Sequence, residues 1–377
     1  MLLRANAIGT LCLSSLVFSG LDVFAQSSTG TQPPRKQPGR YSAPTRPGDV
    51  PAAAKATPVE SVAVVATAVT APPAAEIHPD PASPAPLKKG DPLPSATAWL
   101  EAQIALSREG FSCGPIDGVP GAQTRAALQA FQGRENLPVT GQLDAATRDV
   151  LVLDSPPLTE VVVTEEDLAR LQPLSPTWLG KSQQTRLDYT TVLELVAERS
   201  RASHTLVRRL NPGVDWERVV AGTVVKVPSI PKVTIKEQVA HLHVRLAERT
   251  LTARAETGRV LVHFPVSIAR EVAKRPVGEL RVTVVVPNPD YTFNPEVFVE
   301  SEEGRELGRK LILPPGPNNP VGIAWIGLDR PGYGIHGTPS PEQVGRTESH
   351  GCFRLANWDA ETLLRLAWVG LPVLIEP

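Results

Sequence analysis

Proline locks φ and has no amide hydrogen, so clustered prolines mark stretches that cannot build the interior of a helix or sheet. This chain has 39 prolines in 377 residues and only 5% aromatic side chains. Residues 26–93 combine proline with Ala, Thr, Ser and Val. Such a composition cannot bury enough apolar surface to offset the entropy of ordering, and the short Val62–Val69 run does not change that. The fold is therefore expected to be several small units after a disordered or semi-extended spacer, rather than one large core. The net charge of −1 gives no sign of a nucleic-acid partner.

Ahead of the spacer, residues 1–25 have the form of a secretory signal. Arg4 is a positive start, Ile8–Phe18 is mostly apolar, and Val23-Phe24-Ala25 suits cleavage. The apolar run is shorter than the ~20 residues of a membrane span, although an uncleaved anchor is the alternative. No later segment is long and apolar enough to cross a bilayer. The expected location is outside the cytoplasm, periplasmic or cell-wall associated. Cys12 would leave with the signal, so the mature chain keeps Cys113 and Cys352. A disulfide is the common use of two exported cysteines, but these two fall in separate units.

Residues 94–153 show helical spacing through Trp99, Ile104 and Leu106, then a turn-rich loop, then Ala127, Leu128 and Phe131. Asp144 is placed to cap a third short helix. The string G-F-S-C-G-P-I-D-G-V-P-G-A-Q-T-R-A-A-L-Q-A-F-Q with L-P-V-T-G-Q-L-D-A-A-T resembles the peptidoglycan-binding module of wall hydrolases and transpeptidases. That resemblance implies a structural role for Asp117 first and a glycan contact second. Cys113 reads as a small buried residue.

Residues 154–186 are expected to be a linker. Residues 187–230 read as a small α+β module, with helical faces at Leu193, Leu195, Val196, Leu206 and Leu210. Their N-P-G…A-G-T-V-V-K-V-P ending resembles a degenerate LysM carbohydrate-binding module, although no opening strand is visible before Tyr189. Glycan binding and a purely packing role both remain open for it.

Residues 232–377 are rich in β-branched strand candidates: Val244–Leu246, Thr252–Ala255, Val260–Ser267, Leu280–Val286 and Val321–Leu328. Residues 287–320 form a long excursion of the kind that covers sites. Asn357 or Asp359 is placed to cap a final helix before a last strand, Leu371–Ile375. The chemistry concentrates near Cys352. A thiol with a pKa near 8.5 needs a base to become a nucleophile at neutral pH. His350 is two residues away, across Gly351, and His336 arrives from a separate strand end. A glycine-kinked turn can present backbone amides to a developing oxyanion. Arg354 can hold a substrate carboxylate through a bidentate contact. A zinc site using His336, His350 and Cys352 lacks an evident fourth ligand.

Tyr333-Gly334-Ile335-His336-Gly337-Thr338 followed by Ser349-His350-Gly351-Cys352-Phe353-Arg354-Leu355 resembles the signature of the L,D-transpeptidase (YkuD-type) catalytic domain. The resemblance implies a mainly β, β-sandwich-like domain. It also implies Cys352 as acyl acceptor, His336 as proton acceptor oriented by the Gly337 carbonyl, and an oxyanion site from the amides of His350, Gly351 and Cys352. Ser349 and Arg354 would contact substrate. The implied reaction releases D-alanine from a peptidoglycan tetrapeptide stem through a Cys thioester and passes the acyl group to an amine, giving a 3→3 crosslink. No metal or cofactor is called for. Water as acceptor would give an L,D-carboxypeptidase, and a protein lysine would give covalent anchoring. A non-catalytic scaffold that binds wall glycan strands is the reading from another class.

Overall fold

Three short helices open the described part of the chain: α1 (Ala96–Arg108), α2 (Ala122–Arg134) and α3 (Ala145–Val150). The structure is a computed structural model that describes residues 96–296, 301–347 and 351–377. The expected signal (1–25) and spacer (26–93), together with Ser349 and His350, lie outside the described residues. Leu106, Phe111, Cys113, Leu128 and Phe131 form the core of the helical unit, with Phe111 edge-to-face on Phe131 at 5.7 Å. Asp144 caps α3 as expected, accepting from the Thr147 amide at 2.9 Å. Asp117 does structural work: its carboxylate accepts from the buried Gln103 amide (2.9 Å) and from the Val119 N–H (2.8 Å).

The segment expected to be a linker is folded. β1 (Leu158–Val162) pairs antiparallel with β2 (Val224–Pro228). Between them run α4 (Glu165–Ala169), α5 (Trp178–Ser182), α6 (Val192–Arg199) and α7 (His204–Leu210). Thr164, Thr177, Thr191 and Ser203 each cap their helix through the side-chain oxygen, which satisfies amides that the helix itself leaves open. β1 gave no sequence signal because it is exposed along most of its length. A strand buried on neither face has no reason to alternate.

The C-terminal unit holds β3 (His241–Arg245), β4 (Thr250–Arg254), β5 (Val260–Pro265), β6 (Gly278–Pro287), β7 (Tyr291–Phe293), α8 (Glu302–Leu307), β8 (Leu311–Leu313), β9 (Ala324–Leu328), β10 (Gly334–His336), β11 (Phe353–Arg354), α9 (Asn357–Leu366) and β12 (Pro372–Glu376). Eight of these strands form one sheet in the order β11-β10-β9-β6-β12-β3-β4-β5. The sheet curls until its ends meet. Ser267, just past β5, exchanges two backbone hydrogen bonds with Arg354 of β11 (2.9 and 3.0 Å). The inner faces then enclose one core that includes Leu242, Leu251, Phe264, Ile326, Ile335, Phe353, Leu363 and Val373. The mainly β expectation holds. Within the excursion at 287–320, β7 pairs antiparallel with β8.

The units meet through apolar clusters, Ile104 and Ile116 with the core of the middle unit and Leu187 with Phe293 and Leu313, and through backbone and polar contacts. Residues 110–112 lie along β5, with His263 N–H donating to the Gly110 carbonyl (3.0 Å) and Ser112 N–H to the His263 carbonyl (2.9 Å). A free strand edge is thereby covered. Ser112 Oγ donates to buried Asp359 at 2.8 Å. Leu187 of the middle unit donates to the Pro315 carbonyl (3.0 Å) and accepts from the Asn318 amide (2.9 Å). This contact requires Gly316, whose φ is +148° and whose Cβ, if it had one, would lie 2.2 Å from the Leu187 carbonyl oxygen. Among the described residues no helix is long and apolar enough to cross a membrane.

Gly316→Ala is expected to lower the unfolding free energy by about 2–4 kcal/mol, because backbone rather than a flexible side chain must yield. Urea denaturation of wild type and variant checks this. Equal midpoints would show that the 315–318 loop can give way without cost.

Candidate active site

β10 and β11 run parallel, with Ile335 opposite Phe353 and His336 opposite Arg354. Alternation along a strand sends neighbours to opposite faces. Ile335 and Phe353 enter the core, so His336 and Arg354 share the other face, and Cys352 comes up beside Gly334. The half-buried thiol donates to the Gly332 carbonyl at 3.4 Å and receives the Gly334 amide. Burial pushes the thiol above its ordinary value, while the Gly334 N–H and the Arg354 charge pull it down.

His336 is buried and its ring stacks on Trp325 (5.7 Å, 23°). Nδ1 lies 2.6 Å from the Gly337 carbonyl. A carbonyl only accepts, so Nδ1 carries the proton and Nε2 is left with the lone pair. Burial pushes the imidazole down to about 4. The Gly337 bond opposes that shift and the Arg354 charge adds to it. At neutral pH the ring is therefore an uncharged base.

Arg354 is half-buried, and burial lowers its pKa, while Cys352 and Tyr291 favour its charge. Tyr291, on the β7–β8 hairpin, is pushed up to about 12 by burial and then by the Cys352 charge. Its phenol is neutral and belongs electrostatically to the site.

The loop after His336 is held from behind by Asn357. This side chain is fully buried. Its Oδ1 accepts from the amides of Thr338 (3.0 Å) and Ile323 (3.4 Å). Its Nδ2 donates to the Pro317 carbonyl (3.1 Å) and to Glu198 of α6 (3.0 Å). A Cβ on Gly337 would come within 2.2 Å of Oδ1, so the carbonyl that orients His336 is placed where only glycine fits. Asn357 was expected to cap the last helix. It is instead the first residue inside α9, whose cap position is Ala356 and makes no side-chain bond. Asp359 likewise turns outward from the helix to Ser112.

Of the residues expected at the site, Cys352, His336, Gly337 and Arg354 come together on and beside β10 and β11. Apart from its chain neighbours, no described atom lies within 4 Å of the position a Cβ on Gly351 would take. Ser349 and His350 are outside the described residues. Cys113 and Cys352 are not disulfide-bonded, as expected. Sequence reasoning missed Tyr291, which carries no motif, and the inward role of Asn357. Among the described residues no cluster of three His, Cys, Asp or Glu could hold a metal.

A cleft of about 330 Å³ reaches the site at Arg354 and Thr338 and is lined also by Trp178 and Lys181 of α5. Trp178 stacks on Phe293 of the hairpin (4.4 Å, 14°), and Glu303 of α8 accepts from the Trp178 and Leu179 amides at 2.8 Å each. A larger groove of about 740 Å³ lies between α2 and strands β3–β5, lined by neither Cys352 nor His336.

Residues 240–375 match the family model described as the L,D-transpeptidase catalytic domain (YkuD), and residues 95–151 match the "Putative peptidoglycan binding domain". The protein named "Putative L,D-transpeptidase YkuD" of Bacillus licheniformis is 28% identical over 186 residues, which is 49% of this chain and 93% of that protein. "Putative L,D-transpeptidase YqjB" of Bacillus subtilis is 38% identical over 105 residues, 26% of this chain and 51% of that protein. Among solved structures, an L,D-transpeptidase from Xylanimonas cellulosilytica is similar at 15% identity with a TM-score of 0.30, over 74% of this chain and 92% of that one.

Arg354→Gln is expected to raise the pH at which Cys352 alkylates half-maximally with iodoacetamide, because the charge that stabilises the thiolate is gone. Peptide mass spectrometry of Cys352 reads this directly. An unchanged or lower midpoint would mean that Arg354 does not act on the thiol.

Proposed function

We propose, from the premise that residues 240–375 are a YkuD-type L,D-transpeptidase catalytic domain, that Cys352 and His336 are its reacting pair. The thiol attacks the carbonyl between the third residue of a peptidoglycan tetrapeptide stem and its terminal D-alanine. The Sγ proton passes to His336 Nε2 as the sulfur–carbon bond forms. The imidazolium then gives that proton to the departing D-alanine amine, leaving a thioester on Cys352. An amine from a neighbouring stem attacks the thioester, His336 takes its proton, and sulfur leaves as the thiol is restored. The product is a 3→3 crosslink.

The observation that carries this reading is the Nδ1–H···O=C bond from His336 to Gly337, which leaves the other ring nitrogen basic in a neutral, buried imidazole. The thiol and imidazole rest uncharged, so proton transfer accompanies attack rather than preceding it. The amides of His350, Gly351 and Cys352 are the proposed oxyanion donors. Arg354, with Ser349 beside the turn, is the proposed contact for a stem carboxylate. The cleft leading away past Lys181 suits the anionic remainder of a peptide stem.

The domain limits proposed are 94–153, 158–230 and 232–377. The first would hold the enzyme at wall glycan and raise its local concentration. In the second, two antiparallel strands flank the four helices α4–α7, and a LysM-like glycan-binding role is proposed for it on its sequence ending alone. Export, by way of the signal at residues 1–25, would place the protein in the periplasm or at the wall. Water or a protein lysine as acceptor uses the same first half-reaction.

Incubating the protein with tetrapeptide stems should give a mass adduct on Cys352 equal to the stem less D-alanine, together with 3→3 dimers. Cys352→Ala should give neither, and His336→Gln should lose about 10²–10⁴-fold in turnover. Adduct followed only by tripeptide release would identify water as the acceptor, and no adduct at all would sink the assignment. The acid limb of kcat/KM should fall near pH 4, since His336 is the active neutral base above its folded pKa. A limb near the ordinary imidazole value of about 6.5 would contradict the burial argument.

A further inference from the structure

Glu198 belongs to α6 of the middle module, yet its carboxylate faces the catalytic domain. Oε1 accepts from Asn357 Nδ2 at 3.0 Å and from the Tyr189 hydroxyl at 3.4 Å, both in buried surroundings. One turn earlier on the same helix face, Glu194 Oε1 accepts from Asn318 Nδ2 at 2.5 Å. Burial pushes Glu198 up to about 7, the Asn357 hydrogen bond opposes that shift, and Glu194, four residues away on the same helix, adds to it by like-charge repulsion. That cost is met at a point where each acid receives an asparagine amide of the catalytic domain.

The Asn357 amide is saturated. Its oxygen takes two backbone N–H groups and its nitrogen gives one hydrogen to the Pro317 carbonyl and one to Glu198. A primary amide has no further capacity. If the amide flipped, NH₂ would face two donors, and the oxygen would face a carbonyl and a carboxylate. Glu198 is the side chain that helps forbid this flip, and it comes from outside the matched catalytic region at 240–375. The consequence reaches the site in three bonds. Asn357 Oδ1 holds the Thr338 amide, the same peptide unit carries the Gly337 carbonyl, and that carbonyl holds His336 Nδ1.

We propose that Glu198 is a positioning residue for His336, so that the middle module completes the active site rather than only spacing or tethering it. The proposal rests on His336 being the base, as read above. It goes beyond that reading in assigning part of the site to a second module.

The test uses the mature protein with Glu198→Met and Glu198→Ala, which lack the acceptor, and Glu198→Gln, which keeps one. Two measurements are made on each: stem turnover as kcat and KM, and the His336 Nδ1–H resonance in ¹H–¹⁵N spectra. Met and Ala are expected to lower kcat by about tenfold with KM nearly unchanged, as for loss of one buried hydrogen bond, and to broaden or abolish the ring N–H signal. Gln is expected to restore both. The proposal is overturned if Met and Ala keep wild-type kcat and ring signal. It is also overturned if Gln is as impaired as Ala, or if the losses vanish at a low temperature where all variants are fully folded. The ring resonance needs no substrate. A wild type that shows it but forms no adduct on Cys352 would therefore sink the proposed reaction separately from the positioning role.

Discussion

One buried primary amide, that of Asn357, is the point on which the arrangement of the site depends. At full burial each of its hydrogen-bonding positions must be matched, since an unpaired one costs as much as a lost bond or more. The four partners come from three loops of the catalytic domain and one helix of the middle module. The amide therefore fixes where the 322–323, 337–338 and 317–318 backbones lie relative to one another. Glycine at 322 and 337 follows from the same closeness, because a Cβ at either would overlap the Asn357 oxygen.

The electrostatics of the site have one dominant cause. Burial lowers His336 and Arg354 and raises Cys352 and Tyr291, in each case toward the neutral form. Arg354 is a cation there at neutral pH, and its charge lowers both the thiol and the imidazole. On the proposed mechanism this favours a neutral resting pair. The charge that appears during attack is met by fixed amides and one guanidinium in a medium of low polarizability, where such groups act more strongly than in water.

The three folded units are joined by shared apolar clusters and by buried polar ties: Ile104 and Ile116 pack with Leu195, Leu206 and Val225, and Leu187 packs with Phe293, Leu311 and Leu313. Ser112 reaches Asp359, Glu198 reaches Asn357, and Leu187 brackets the 315–318 loop. The segment between the helical unit and α6 adds a further tie, with Trp178 on Phe293 and Glu303 at the start of α5. The hairpin that carries Tyr291 is thus backed by residues far from it in sequence. Polar ties of this kind specify geometry, because each has a direction as well as a strength.

The sequence by itself determined the chemistry-bearing strings H-G-T and S-H-G-C, the three-helix unit with its Asp144 cap, and most of the strands of the curled sheet. All of these are written in local spacing: alternation of two, helical periods, and residues within a few positions of one another. Tertiary structure alone decided the rest. β1 shows no alternation because it is exposed on both sides. Asn357 looks like a helix cap because its true partners lie up to 159 positions away. Glu198 looks like an acid on a solvated helix face, and Tyr291 like an isolated aromatic in a loop. A hydrogen bond or a burial shift depends on which segments meet in space. Local pattern carries no information about a meeting between residues so distant in the chain.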